Sequence, residues 1–319
     1  MPDIYFDPVK HKYTDNFNNN YISVTTLIGN YENKFSEKEW DIATACEKIG
    51  KNPRHSKYAK YKGKSAKQII ASWRKIQKDA LVIGNDTHDY LEEKIKFSSY
   101  FSNPYSKSRG SMFTVEYIVD NPNSTLGYIN IEYLISSGFK DKYPKIFKLL
   151  VSFVNEGWRI FSESVVYHPI FLVAGLIDVI LIKGDNFILL DWKTNKSPIQ
   201  FKSGYYEKDN NNNIIGYIET EEVLKHPLDH LPSSTGIKYS LQTSLYSYMT
   251  EELGLKCKGI IICQILHDLY DKTAPSELIG KNITNFIPIN YLKDDVVIML
   301  EDHHKNSNKG QYSLFKKYA

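Results

Sequence analysis

Cysteine is scarce: Cys46, Cys257 and Cys263 are the only three in 319 residues. An odd, sparse set cannot form a disulfide framework and suits a reducing compartment. Long hydrophobic runs are missing too. The longest, Ile170 to Ile182, is interrupted by Asp178 and is too short and too charged to span a bilayer. The opening residues carry acids early and have no apolar stretch, unlike a secretory signal or a transit peptide. There is no Gly-rich phosphate loop, which argues against an ATPase or helicase in this chain. No sustained heptad appears, and 17 Gly exclude a collagen-like chain. No nucleophilic Ser or Cys with a partnered His stands out. These absences leave a globular, cytoplasmic protein with no membrane partner. The 42% hydrophobic content excludes disorder of the whole chain.

The net charge is only +3, but it is unevenly spread. From Lys48 to Lys78 there are eleven Lys and Arg and no Asp or Glu: Lys48, Lys51, Arg54, Lys57, Lys60, Lys62, Lys64, Lys67, Arg74, Lys75 and Lys78. The other residues hold 29 basic against 37 acidic groups, a net of −8. Tyr58, Tyr61 and Trp73 lie among the cations. Cations bind phosphates, and aromatic faces stack unpaired bases. A solvated basic loop is the alternative use of such a stretch.

Strands are expected over Tyr5–Tyr13 and Tyr21–Thr25, with the Asn-rich turn at 18–20 between them. Ser36 and Glu39 form a capping box opening a helix through Ile49 that Gly50 ends. Helical character is expected from about Ser65, then from about Asp86 to Ile95, near 129–137 and over 144–157. From Phe161 the pattern turns to strands: Glu163–Tyr167, Phe171–Ile182 and Asn186–Lys193. A loop around Asp209 to Asn213, a helix over 241–253 and a strand over Gly259–Ile265 follow. The fold class is α/β, a mixed central sheet flanked by helices. The chain reads as one domain, 1–319. Residues 1–100 would be an N-terminal hairpin and basic helical elaboration, and 155–270 the core.

The densest chemical signal lies between Gly175 and Lys193. Gly184-Asp185 is a good two-residue hairpin turn. Counting outward, Lys183 faces Asn186, Ile182 faces Phe187, and Val179 faces Leu190. Asp178 then falls opposite Asp191, and Lys193 shares the face of Asp191 while Trp192 points away. Opposed carboxylates repel unless a cation compensates them, and hard oxygens suit Mg²⁺ or Mn²⁺. A lysine two residues along can hold a phosphate or polarise an attacking water, which equips the hairpin for phosphodiester hydrolysis. An ordinary ion pair on a surface hairpin is the alternative.

Asp178 followed by Asp191-Trp192-Lys193 resembles the PD-(D/E)XK nuclease signature, and more specifically its RecB-like exonuclease branch. That branch includes phage-borne and mitochondrial genome-maintenance-type exonucleases. Four further features are similar to it: Glu163 before the hairpin, Gln242 and Tyr246 as a QxxxY motif, His88 four residues after Gly84, and the N-terminal segments 6–13 and 23–26. The resemblance implies a restriction-endonuclease-like core and a Mg²⁺- or Mn²⁺-dependent DNA exonuclease. It would act on single strands or free ends in replication, recombination or repair, with viral or host proteins of those processes as partners, in the host cytoplasm if viral. Its implied metal ligands are Asp178, Asp191, the Trp192 carbonyl and His88. Lys193 would position the nucleophilic water and Glu163 would assist. Gln242 and Tyr246 would contact DNA, along with Lys57, Lys60, Lys62, Lys64 and Arg74, in helices that arch over the site. Three cysteines without a CxxC argue against an iron–sulfur cluster. Within this reading the alternatives are a structure-specific endonuclease and a non-catalytic single-strand-binding recombination factor.

Overall fold

The computed structural model describes all residues except 1–2, 8, 11, 34–38, 53–59, 99–113, 124–125, 196, 209–213, 267–282 and 316–319. The chain packs as two compact units, each assembled from separate stretches. The first comprises residues 1–30, 87–199 and 238–319, the second 31–86 and 200–237. Among the described residues no helix is long and apolar enough to cross a membrane.

The first unit is built on an eight-stranded, mostly antiparallel sheet. Its strands are β1 (Ile4–Asp7), β2 (Lys12–Asp15), β3 (Asn20–Ser23), β4 (Arg159–His168), β5 (Val173–Lys183) and β6 (Asn186–Thr194). β9 (Lys256–Leu266) and β10 (Ile283–Pro288) complete it. The path runs β1-β2-β3-β5-β6-β9-β10, with β4 added beside β5. β3 joins β5 and β6 joins β9 in parallel, and the other pairings are antiparallel.

The hairpin register follows the turn, as counted from the sequence. Lys183 pairs with Asn186, Ile180 with Leu189 and Val179 with Leu190. Gly184 at the turn has φ of 55°, a conformation that costs glycine nothing. Alternation then sorts the side chains. Val179, Leu181, Leu190, Trp192, Cys263 and Ile265 all enter one core cluster. Over them pack Leu134 of α5 (Ile131–Ser136), Phe139 of α6 (Phe139–Lys142), and Ile146 and Leu150 of α7 (Pro144–Asn155). Leu91 and Ile95, from the last part of α3 (Ala66–Ser98), join the same cluster. Each such side chain contributes about 1.5–3 kcal/mol by leaving water. Trp192 is 1% exposed, and its burial on this face commits Asp191 and Lys193 to the other.

That other face meets α8 (Thr235–Glu251), through Tyr239 against Ile260 and Ile262 and through Tyr246 against Gly175. β5 has an unusual pairing pattern. β4 lies along one of its edges from Val173 to Ile182. On the other edge β3 pairs only at Val173–Ala174 and β6 only at Val179–Lys183. The residues between, 175–178, face a notch between two strands that part there. The remaining elements of this unit are α1 (Val24–Gly29), α4 (Val115–Asp120) and α9 (Lys293–Phe315).

The second unit holds α2 (Glu39–Lys51), the first part of α3 and the hairpin of β7 (Gly204–Lys208) with β8 (Ile214–Glu219). Ala43 and Cys46 of α2 pack on Ala66, Ile69 and Ile70 of α3, with Tyr61 and Trp73 at the margin.

Several sequence expectations shift. The helix expected over 86–95 and the one from Ser65 are a single 33-residue helix, α3. Gly50 does not end α2, which runs to Lys51; a Cβ at Gly50 would stand 2.8 Å from the Tyr61 carbonyl oxygen. Ser36 of the capping box lies outside the described residues, as does the loop expected around 209–213, between β7 and β8. The strand expected at Tyr21–Thr25 gives way to α1 at Val24, where the Ser23 side chain accepts from the Thr26 N–H and caps the helix.

Gly175 supplies a test of how tightly α8 is seated at the notch. A Cβ there would lie 2.3 Å from Tyr246 Cε1, inside any real contact. Gly175→Ala is expected to lower the urea midpoint by the equivalent of roughly 1–3 kcal/mol. Gly259→Ala, whose Cβ would meet only Ile188 Cγ2 at 3.9 Å, is expected to stay within about 0.5 kcal/mol of the parent.

Candidate active site

The candidate residues of the first unit meet at the notch. β4 and β5 keep one register throughout, Ser162 with Val179 and Ser164 with Ile177, so Glu163 stands level with Asp178. The β5–β6 register, extended one step past Val179–Leu190, sets Asp178 level with Asp191. Three carboxylates thus lie in a row on three adjacent strands. The row is not regular sheet. Glu163 has φ of 50°, in the left-handed region that costs a non-glycine residue about 1 kcal/mol or more.

Asp178 replaces the missing ladder. Its Oδ2 accepts the Trp192 N–H at 2.7 Å, and its Oδ1 lies 3.6 Å from His88 Nδ1. His88 Nε2 lies 3.0 Å from the Trp192 carbonyl oxygen. One residue of β6, Trp192, is therefore held by a carboxylate at its N–H and an imidazole at its C=O, where β5 would otherwise pair.

Asp191 is 3% exposed, and Lys193 Nζ stands 2.6 Å from its Oδ2. The contact is a buried ion pair. Burial raises the Asp191 pKa to about 6; Lys193 and His88 oppose the rise and Asp178 adds to it. Burial also works against the Lys193 charge, but the carboxylates of Asp191 and Asp178 more than offset it, and its pKa ends above the ordinary value. Lys193 is thus held as an ammonium, while the Asp191 carboxyl takes a proton more readily than an ordinary aspartate.

The sequence reading overlooked four participants. Glu92 shares a hydrogen bond with Glu163, and Lys96 ion-pairs with both, at 3.5 Å from Glu163 Oε2. His88, Glu92 and Lys96 recur every four residues, and that spacing on a helix was the available signal. Tyr239, one turn before Gln242 on α8, sets its ring 4.8 Å from the Lys193 ammonium. Asn195 Nδ2 donates to the Tyr239 hydroxyl at 3.4 Å.

Gln242 and Tyr246 come together as the i, i+4 spacing requires, Gln242 Nε2 donating to the Tyr246 hydroxyl at 3.0 Å. Tyr246 is only 4% exposed and lines the notch from inside. In the second unit Lys60, Lys62 and Lys64 are exposed, with Lys60 Nζ 5.1 Å from the Tyr61 ring centroid. Arg74 pairs with Glu39 at 3.0 Å. Lys57, Arg54 and Tyr58 lie outside the described residues.

Among the described residues no three of His, Cys, Asp and Glu form a ready-made metal cage. The donor chemistry still fits a hard cation. Asp178 and Asp191 are oxygen donors level with each other, and Asp191 Oδ2 is a buried carboxylate oxygen that meets the Lys193 ammonium. The Trp192 carbonyl turns to the same edge of β6. No family model matches the chain, and no curated protein matches it.

Glu163 carries the clearest pH signature. Burial, the shared hydrogen bond and charge of Glu92, and Asp178 raise its pKa to about 8, against the pull of Lys96. A carboxyl raised on folding contributes stability that is present below the ordinary glutamate range and is lost as the pH climbs through about 8. In EDTA, Glu163→Gln is therefore expected to raise the urea midpoint at pH 9, and the gain should shrink toward zero by pH 4. An equal gain at both pH values would show that the carboxyl titrates normally.

Proposed function

We propose that this chain is a Mg²⁺- or Mn²⁺-dependent deoxyribonuclease of the PD-(D/E)XK superfamily, in its RecB-like exonuclease branch, hydrolysing DNA phosphodiesters at single strands or free ends. The observation that carries the reading is the grouping of Asp178, Asp191 and Lys193 at one end of a buried hairpin, with Glu163 level on the next strand. A structural ion pair needs one acid for one base. Here four acids, Glu92, Glu163, Asp178 and Asp191, share two lysines, Lys96 and Lys193, and Asp178 and Asp191 stand level with only Lys193 and His88 beside them, a grouping that suits a cation.

In this reading the fold is a restriction-endonuclease-like core with a basic N-terminal elaboration. Asp178, Asp191 and the Trp192 carbonyl would hold the metal, with His88 orienting the Trp192 carbonyl and the Asp178 carboxylate. The bound metal would neutralise the scissile phosphate and acidify a water. Lys193, charged at neutral pH, donates hydrogen bonds to the attacking water or to a phosphate oxygen, and so fixes the line of attack. Glu163, whose pKa is raised by burial and by Glu92, would accept or return a proton beside that water. Trp192 and the cluster around it keep the strand ends from shifting.

Lys60, Lys62 and Lys64, together with Lys57 and Arg74 of the same segment, would bind phosphates without regard to sequence, and Tyr61 offers a face for an unpaired base. Gln242 is the residue of α8 proposed to reach the strand, and Tyr246 orients it. Replication, recombination or repair is the setting for such an activity, with proteins of those processes as partners.

A timed digest of end-labelled single- and double-stranded DNA tests the proposal. Cleavage is expected with Mg²⁺ or Mn²⁺ and not with EDTA, releasing nucleotides progressively from an end. Asp191→Asn and Lys193→Ala should each cut the rate by at least roughly a thousandfold without loss of fold. Metal-dependent cleavage that survives in Asp191→Asn would remove the assignment.

A further inference from the structure

A buried ammonium needs a counterpart, and the obvious one here is already committed. Lys193 is 14% exposed in its side chain and sits on Asp191. If Asp191 serves a divalent cation, its carboxylate has less to give the lysine, and a long four-carbon side chain is released just when it must be in place. A second restraint would have to attract a cation without competing for the metal. An aromatic face does that: its quadrupole attracts an ammonium within about 6 Å, most strongly when water is excluded, and it is a poor ligand for a hard ion.

We propose that Tyr239 is the positioning residue for Lys193, holding its ammonium over the ring face whatever partner the Asp191 carboxylate takes. The centroid distance of 4.8 Å is well within range. The ring is fixed from two sides. It packs against the isoleucine cluster of Ile199, Ile260 and Ile262, and its hydroxyl accepts from Asn195 Nδ2. Asn195 lies two residues beyond Lys193 in the same chain segment, so strand and helix are tied together around the ammonium. The functional part of the inference rests on the nuclease reading; the contact itself does not.

Two readouts separate these. In steady-state cleavage, Tyr239→Leu, which keeps an apolar filling but removes the ring, is expected to lower kcat roughly 10- to 30-fold with KM for DNA within about twofold. Tyr239→Phe, which keeps the face, should return to within about threefold. The second readout needs no activity. In protein carrying ¹³Cε-labelled lysine, the Lys193 Hε signal, assigned by its disappearance in Lys193→Met, is expected upfield of the other lysines through the ring current. It should stay there in Asp191→Asn and Tyr239→Phe and move to the ordinary position in Tyr239→Leu. A wild-type kcat in Tyr239→Leu, or a Lys193 signal indifferent to that substitution, would overturn the proposal. Absence of any cleavage by the wild type would instead remove the nuclease reading, and the lysine signal alone would then decide whether the ring holds the ammonium.

Discussion

Past the Val179–Leu190 pair, β5 and β6 stop bonding as strands, and the Asp178 carboxylate takes the Trp192 N–H in place of a backbone carbonyl. The rest of the site depends on this substitution. It leaves the Trp192 carbonyl to His88 rather than to a strand, and it opens the notch in which Tyr246 lies against Gly175. It also brings a charge to a level where Glu163 and Asp191 already stand on either side. An antiparallel pair continued for two more residues would have buried an ordinary ladder there and left no site.

Such an arrangement works against stability. Burial and mutual repulsion push Asp191 to about 6 and Glu163 to about 8, and Glu163 sits in a left-handed conformation as well. The packing of Trp192, Val179 and Leu190 beneath α7 holds the row in spite of this. Strain and like charge concentrated on a few residues, above a well-packed apolar layer, is the pattern expected of a functional site rather than of a structural ion pair.

The sequence reached the hairpin because its information is local. A Gly-Asp turn fixes the register, the register sets Asp178 against Asp191, and alternation sends Lys193 to the same face and Trp192 to the other. The parting of the strands was not legible. It depends on β3 entering beside Val173 from 150 residues away, a contact no local period records. Glu92 and Lys96 were within reach, four and eight residues after His88, but their weight comes from Glu163, which a strand count alone does not bring near. Tyr239 falls just before the helix expected over 241–253 and carries no signal of its own. Its place beside Lys193 appears only when α8 is laid on the face of β6. The length of α3 was hidden because its middle, residues 74–86, is largely exposed and offers no apolar stripe to count.

The central claim is that the carboxylate row is a cation site. Titration of Mn²⁺ into the metal-free protein, followed by the loss of the free-ion electron paramagnetic resonance signal, tests it without DNA or turnover. The account expects a saturable site in the wild type that weakens by at least roughly tenfold in Asp178→Asn and in Asp191→Asn, and that Lys193→Ala leaves intact or tightens. A wild-type protein that takes up no Mn²⁺, or an Asp191→Asn variant that binds it as well as the wild type, would contradict it.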